Sequence, residues 1–520
     1  MELDRKVCDR ARRSRDARFD GKFFIAVTST RIYCRPICSA RSPKDENVRY
    51  YATAAAAEAA GFRPCLRCRP EASPGTPAWS GTSSVVSRAL RLIGEGALDG
   101  DGVEKLADRL GVTDRHLRRL FVQHLGATPI EVALTRRVHF AKKLLDETRL
   151  PIAQIAFAAG FGSLRRFNGE MRRTFSRTPT ELRKLARKRV DSPECYRFRL
   201  AYRPPYDWPQ VIGFLAARAT PGVELVQDNR YQRTIAVGGA TGTIAIGPAD
   251  SGSALMLDVQ FGDPRALLAI VERVRRMFDL GADPSVIAEQ LSGDPLLRRS
   301  AAAHAGIRTP GAWDAFEIAV RAILGQQISV KAATTIAGRI AGRWGSPLDG
   351  SAALNRLFPT PDQLADAPLE EAGIISARAS TLRSLARAVR DGGVVFDGVA
   401  TIDALRAIPG IGDWTAQYVA MRALNEPDAF PSGDLVLRRM AGDCSARELE
   451  RRSERWRPWR AYAVMLLWQA AKDRDQPVRR IQHVPSSALR HDPRGGGRVS
   501  DRPERATWRR ATSGESKGAR

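Results

Sequence analysis

Leu405-Arg-Ala-Ile-Pro-Gly-Ile-Gly-Asp-Trp-Thr-Ala-Gln-Tyr418 decides how the longest part of this chain folds. Pro409 cannot continue a helix, so the apolar run before it stops there. Gly410 and Gly412 permit a tight turn, and Asp413 or Thr415 lies near the start of a second helix. A glycine turn at a helix start exposes backbone N–H groups, which suits phosphate. Outward from this stretch, helical periodicity dominates from Pro284 on, with an apolar helix predicted over 313–329 that ends in Leu324-Gly-Gln-Gln-Ile-Ser329. Upstream, 234–237, 243–246 and 254–261 read as antiparallel strands, followed by a helix over 264–278.

The chain has 520 residues, which at roughly 100–200 per domain predicts three or four domains. Its 43% apolar content rules out a fibrous or wholly disordered chain. The net charge of +26 is uneven. Residues 1–71 hold 16 basic against 9 acidic side chains, 81–189 hold 22 against 11, and 478–520 hold 11 against 4, leaving 190–477 nearly neutral. A polyanion is the partner this distribution favours. No apolar run reaches the length of a membrane span, and the Met-Glu-Leu-Asp-Arg-Lys start lacks an apolar leader. The expectation is a cytoplasmic, nucleoid-associated protein with no membrane partner. Glu71-Ala-Ser-Pro-Gly-Thr-Pro-Ala-Trp-Ser-Gly81 reads as a linker, a second break falls near Asp191-Ser-Pro193, and 478–520 reads as a disordered basic tail.

Four cysteines organise the first segment. Cys34 and Cys38 have three residues between them, Cys65 and Cys68 two, and 26 separate the pairs. Two close thiol pairs suit tetrahedral zinc, and four thiolates give the site a formal charge of −2. Arg31, Arg35, Arg41, Arg63, Arg67 and Arg69 surround it in sequence. On spacing alone a closed, inert zinc knot is the better fit. The residues say more: Phe23-Phe-Ile-Ala-Val-Thr-Ser-Thr-Arg-Ile-Tyr-Cys-Arg-Pro-Ile-Cys38 and Gly61-Phe-Arg-Pro-Cys-Leu-Arg-Cys68 resemble the zinc domain of the Ada adaptive-response family. That resemblance implies Cys34 as acceptor of a methyl group from a DNA methylphosphotriester, Cys38, Cys65 and Cys68 as anchoring ligands, and Thr30, Arg41, Arg63 and Arg67 as phosphate contacts. Cys8, Cys195 and Cys444 lie outside the pattern and read as ordinary thiols.

The second segment repeats itself. Val103–Phe121 and Ile152–Phe167 place Ala107 against Ala156 and Gly111 against Gly160 at a separation of 49. After one extra residue the separation is 50, pairing Leu117 with Phe167, Thr128 with Thr178 and Pro129 with Pro179. The small residues are placed where crossing helices approach closely. This duplicated helix-turn-helix, joined by a long helix over 129–146, resembles the AraC-type DNA-binding domain. The readers are then Arg115, His116, Arg118 and Arg119 in the first unit and Ser163, Arg165 and Arg166 in the second. His124 and His139 carry no assigned chemistry.

The third segment turns on one carboxylate. Asp434 lies 22 residues beyond Gly412 in Phe430-Pro-Ser-Gly-Asp-Leu435, and alone it reads as a helix cap. The glycine turn looks like a helix-hairpin-helix, where a monovalent cation often bridges carbonyls and DNA phosphate. With Asp434, Arg457-Pro-Trp-Arg-Ala-Tyr462 and Tyr202-Arg-Pro-Pro-Tyr-Asp-Trp208, it resembles AlkA-type 3-methyladenine DNA glycosylase II over nearly all of 196–473. The resemblance implies Asp434 as the catalytic carboxylate, Trp414, Tyr418 and Trp468 lining a cleft for an extruded base, Gly410 and Gly412 on phosphate, and Gln327 where an intercalating leucine is known.

The architecture expected is multidomain α+β: a zinc methyl-acceptor domain over 1–71, an all-α tandem helix-turn-helix over 82–189, an antiparallel β/α subdomain over 196–283 and an all-α helix-hairpin-helix glycosylase domain over 284–477. The expected partners are alkylated or methylphosphotriester-bearing duplex DNA, promoter DNA and RNA polymerase, and the expected cofactor is one Zn²⁺. Two other readings fit the same residues: a transcription regulator with an inactive glycosylase-like part, and a DNA-binding protein with an inert zinc knot. Intact Cys34 and Asp434 favour the first reading over both.

Overall fold

Helix α1 (Arg5–Ser14) starts at Asp4, whose side chain accepts from Lys6 N and Val7 N. It lays Cys8 and Ala11 on Phe23, Ile25 and Val48. The computed structural model describes residues 3–74, 84–185, 195–397 and 400–475. The expected tail over 478–520 and most of the expected linker over 71–81 lie outside them. Strands β1 (Phe24–Val27), β2 (Ile32–Cys34), β3 (Val48–Tyr51) and β4 (Arg63–Pro64) form a sheet ordered β3-β1-β2-β4, with β2 and β4 parallel. Helix α2 (Ala54–Ala59) covers its other face through Ala57, beside Phe24, Tyr33 and Phe62. The parallel pair matters because Cys34 ends β2 and Cys65 follows β4.

The repeat in the second segment is visible in the helices. The first unit is α3 (Ser84–Gly94), α4 (Val103–Arg109) and α5 (Asp114–Leu125); α6 (Pro129–Glu147) links it to α7 (Ile152–Ala158), α8 (Leu164–Phe175) and α9 (Pro179–Lys184). Thr113 and Ser163 cap α5 and α8, while Thr128 with Glu131 and Thr178 with Glu181 close two capping boxes. Ala107 and Ala156 are buried as expected. Gly111 has a different reason from close approach. A Cβ there meets nothing within 4 Å, but its φ of +68°, like +80° at Gly160, is the left-handed turn that ends each first helix.

The third segment opens with β5 (Cys195–Ala201) and α10 (Trp208–Ala216), then β6 (Glu224–Gln227), β7 (Arg230–Val237), β8 (Ala240–Pro248) and β9 (Ala254–Phe261). They form one antiparallel sheet, ordered β5-β9-β8-β7-β6. The helical part follows as α11 (Leu267–Met277), α12 (Pro284–Ser292), α13 (Pro295–Ala303), α14 (Ala315–Leu324) and α15 (Val330–Trp344). Next come α16 (Pro361–Ala365), α17 (Ser376–Arg390), α18 (Ala400–Arg406) and α19 (Asp413–Ala423). Last are α20 (Leu435–Met440), α21 (Ala446–Ser453) and α22 (Arg460–Asp475). The helix expected over 313–329 is shorter: Asp314 caps its start, Gly325 its end, and Ser329 already caps α15.

One hydrophobic core runs through the second helix-turn-helix unit, the five-stranded sheet and α22, from Val138 and Phe140 through Phe198 and Leu257 to Leu466. A second core, under α14, α17 and α19, holds the glycine hairpin. Among the described residues no helix is long and apolar enough to cross a membrane.

Candidate functional site

The Sγ atoms of Cys34, Cys38, Cys65 and Cys68 all lie within 4.8 Å of one another. Zinc–thiolate bonds of about 2.3 Å in a tetrahedron set neighbouring sulfurs about 3.8 Å apart, so the four donors fit the ion with small adjustments. Cys65 is buried, whereas Cys34, Cys38 and Cys68 are partly exposed. The surrounding arginines divide into two sets. Arg35 turns inward, its Nε 2.8 Å from Asp20 Oδ1 and its Nη1 donating to Cys68 O at 3.1 Å. Arg69 pairs with Asp146 at 2.6 Å and with Glu71. Thr30, Arg41, Arg63 and Arg67 are exposed, and no ion pair engages those three arginines among the described residues. Cys8 is a different thiol: burial, then Asp4 and Asp9, push its pKa up to about 11, so it stays protonated.

Leu117 and Phe121 in α5, and Phe167 and Met171 in α8, face inward. Arg115 and Arg119 are exposed; Arg119 Nη2 meets His116 Nδ1 at 3.0 Å, and Arg118 lies 3.6 Å from Glu104 and 3.7 Å from Asp114. Ser163, Arg165 and Arg166 are exposed, with the Ser163 hydroxyl spent as the cap that accepts from Arg166 N at 3.3 Å.

The hairpin lies between α18 and α19. Gly410 has φ +89°, and a Cβ there would sit 2.2 Å from Thr381 Oγ1, so only glycine fits. Gly412 caps α19 and leaves open space around it. An ion pair between Arg406 and Asp413 crosses the turn. Gln326, which the sequence did not single out, secures it: Nε2 donates to Gly410 O at 3.0 Å and to Thr415 Oγ1 at 2.9 Å, while its carbonyl accepts from Arg378 at 2.7 Å. The neighbouring Gln327 is exposed, with φ +58°.

Asp434 is a helix cap and more. Oδ1 accepts from Val436 N and Leu437 N, each at 3.0 Å, and from Trp468 Nε1 at 3.2 Å; Oδ2 accepts from Trp414 Nε1 at 3.1 Å. All four of these partners are N–H donors. Trp414 stacks on Tyr418 at 5.4 Å and 13°, and Tyr418 lies 6.3 Å from Trp468. All three rings are partly exposed.

Three further residues complete this group. Phe214 of α10 stacks on Trp468 at 6.4 Å and 19°. Arg218 lies 3.8 Å over the Phe214 ring, and Arg422 donates to the Tyr418 hydroxyl at 2.8 Å. Burial alone would raise the Tyr418 pKa, but Arg422, Arg218 and Arg321 outweigh it and hold it below the ordinary phenol range. Phe214 is buried on the apolar face of α10, and no sequence motif marks it. Arg218 and Arg422 had no motif to mark them.

Four family models match in chain order: the metal binding domain of Ada over 7–71, a helix-turn-helix domain over 106–185, the AlkA N-terminal domain over 197–314, and the HhH-GPD superfamily base excision DNA repair protein over 320–458. The "Probable bifunctional transcriptional activator/DNA repair enzyme AlkA" of Mycobacterium tuberculosis (strain ATCC 25618 / H37Rv) is 43% identical over 481 residues, 90% of this chain and 97% of that one. The chain belongs to this AlkA family. Two parts of it also match separate proteins of Escherichia coli (strain K12). DNA-3-methyladenine glycosylase 2 is 36% identical over 278 residues, 52% of this chain and 96% of its own. The bifunctional transcriptional activator/DNA repair enzyme Ada is 42% identical over 116 residues, 22% of this chain and 31% of its own. In this chain a four-cysteine metal-binding cluster, helix-turn-helix helices and a helical glycosylase-type fold follow one another.

Proposed function

We propose that this chain hydrolyses the N-glycosidic bond of alkylated purines such as 3-methyladenine, and accepts a methyl group from DNA methylphosphotriesters on Cys34. The observation that carries the first half is Asp434, held among N–H donors beside the Trp414–Tyr418 stack. A purine alkylated at N3 or N7 carries delocalised positive charge, which weakens its bond to the sugar and favours stacking on electron-rich rings. Trp414, Tyr418 and Trp468 receive the extruded base. As the base departs with the bonding pair, Asp434 opposes the positive charge growing on the sugar, and water adds at C1′ and gives up one proton to solvent. No lysine lies between Leu405 and Asp434 to form a Schiff base, so the product is an intact abasic site.

For the second half, zinc, when bound, keeps the thiolates deprotonated at neutral pH. Cys34 Sγ forms a bond to the ester's methyl carbon, and the C–O bond breaks with its electron pair left on phosphate oxygen. The sulfur becomes a thioether, the formal charge of the site rises from −2 to −1, and repulsion of the DNA backbone falls. Cys38, Cys65 and Cys68 anchor the site. The exposure of Thr30, Arg41, Arg63 and Arg67 supports their contact with phosphate.

The rest of the reading follows the modules. Residues 1–71 sense methylation, 82–189 bind promoter DNA, and 196–283 with 284–477 form the glycosylase, ahead of a basic tail over 478–520. Arg115, Arg118, Arg119, Ser163, Arg165 and Arg166 meet groove or phosphate, and RNA polymerase is the partner through which binding alters transcription. Gly410 and Gly412 hold phosphate, aided by a monovalent cation, while Gln327 fills the gap left by the extruded base. The protein works in the cytoplasm, on the nucleoid. The deciding experiment is release of free 3-methyladenine from alkylated duplex DNA, with Asp434→Asn as control. No release by the unaltered chain overturns the glycosylase reading.

A further inference from the structure

Tyr33 precedes Cys34 on β2, and its side chain ends in a buried polar cluster. The phenol is 0% exposed, and its ring meets Phe24 edge-on at 5.6 Å. Its backbone carbonyl accepts from Cys65 N at 3.0 Å, so this residue is tied to the chain at two of the four thiols. Its hydroxyl donates to Glu58 Oε1 at 2.8 Å. Glu58, on α2, takes two more partners, both from α6: Thr135 Oγ1 donates to Oε2 at 2.8 Å, and His139 Nε2 lies 2.9 Å from Oε1. His139 Nε2 also lies 3.1 Å from the Tyr33 hydroxyl. Thr135 and His139, one turn apart, share the face of α6 that meets the zinc domain.

Burial alone would raise the Glu58 pKa, but His139 and the hydrogen bonds from His139, Tyr33 and Thr135 hold it below the usual range. Burial likewise works against the His139 charge, and Glu58, with Glu71, outweighs it. Such a buried pair adds little net stability compared with well-packed apolar side chains, but it tolerates little displacement of its members. One residue from Cys34, the part held in place is the strand that presents the thiol.

We propose that Glu58 and His139 are positioning residues for methyl acceptance: through the Tyr33 hydroxyl, helix α6 sets the strand that carries Cys34. This rests on the reading of Cys34 as the acceptor. The link is reciprocal in equilibrium terms, so a change at Cys34 that moves β2 also biases α6, the helix joining the two DNA-reading units.

The test uses the full chain and a duplex with one methylphosphotriester, following methylated Cys34 by intact mass and peptide mapping. Transfer is measured across DNA concentrations to separate the rate constant at saturation from the half-saturating concentration. His139→Ala and Tyr33→Phe should slow transfer at saturation by about tenfold or more, the scale of a misplaced reacting group. The half-saturating concentration and bound zinc should not change. His139→Gln, which keeps a donor toward Glu58, should recover part of the rate. Wild-type rates in His139→Ala and Tyr33→Phe, or slowing matched by zinc loss, would overturn the proposal. An unaltered chain that takes up no methyl group defeats the acceptor reading and this link with it; one that does, beside unaffected variants, defeats the link alone.

Discussion

Trp414 Nε1 donates to Asp434 Oδ2 at 3.1 Å, tying the first turn of α19 to the residue that caps α20. The same carboxylate therefore starts a helix, holds two indoles and is the group proposed to oppose charge growing on the sugar. Removing the charge and removing the cap are separable changes.

Asp434→Asn keeps one acceptor oxygen for the cap and Trp468, but turns an amide N–H toward Trp414. Stability should fall by no more than about 1 kcal/mol, since Asn caps helices as well as Asp. Single-turnover excision should fall about 10²-fold or more, the scale of losing one catalytic electrostatic partner. Asp434→Ala should lose both, with a further melting-temperature drop that Asn does not show. Binding to an abasic-site duplex should survive in Asn because the hairpin is untouched. Near-normal excision of 3-methyladenine by Asp434→Asn would defeat the catalytic assignment.

At Gln327 the backbone and the proposed task pull in opposite directions. A non-glycine residue at φ +58° carries strain of about 1 kcal/mol. Gln327→Gly should therefore raise the melting temperature slightly while lowering excision from fully paired duplex, as the side chain that fills the gap is gone. Gln326→Ala should do the reverse to stability, because its amide bonds both Gly410 O and Thr415 Oγ1. Thermal melting beside single-turnover excision checks both directions.

Where the sequence was informative, the reason was local. The cysteine spacing, the 49- and 50-residue offsets and the Pro409–Gly412 turn are each short-range constraints that leave a residue-type signature, and their elements lie where expected. Gln326 escaped notice because its partners, Gly410 and Thr415, are more than 80 positions away. Phe214, on α10, and Arg218, just beyond its end, reach the Tyr418 group from another subdomain, a convergence set by packing of the sheet against the helical part. His139 had no ligand spacing, and its partner Glu58 is 81 positions away across a module boundary. Contacts made by long-range packing write no pattern into one sequence.

Asp279 gives a pH prediction with a definite sign. Burial pushes its carboxyl up to about 6, although Arg308, the Tyr462 hydroxyl at 2.8 Å and Thr309 N at 3.3 Å favour the anion. A carboxyl raised in the folded state contributes most at low pH, and that contribution is lost as pH rises from about 4 to about 6, levelling above it. The shift corresponds to about 2–3 kcal/mol. Asp279→Asn should gain about that much stability relative to the unaltered chain between pH 4 and 7. Denaturant melts at several pH values measure the difference, and parallel curves for the two proteins would refute it.

The hydrophobic core predicts how the modules separate. The break near Asp191-Ser-Pro193 suggests a glycosylase fragment that folds by itself, yet the packing crosses that break. Phe140 of α6 lies 6.3 Å from Phe198 of β5, Lys143 Nζ donates to Arg199 O at 2.7 Å, and Val138, Leu144 and Leu145 join the same core as the sheet. Each large apolar side chain exposed by cutting there forfeits about 1.5–3 kcal/mol. A fragment over 195–475 should therefore melt well below the corresponding transition of the full chain and bind a hydrophobic dye. One over 129–475, which retains α6, should recover most of the difference. Excision by the shorter fragment should fall with its folded fraction rather than through loss of any residue in the cleft, and ligand-free melts followed by two independent probes separate these effects. If 195–475 melts with the full chain and excises at its rate, the contacts of α6 with the sheet add nothing to the glycosylase, and the two halves are joined only by the chain.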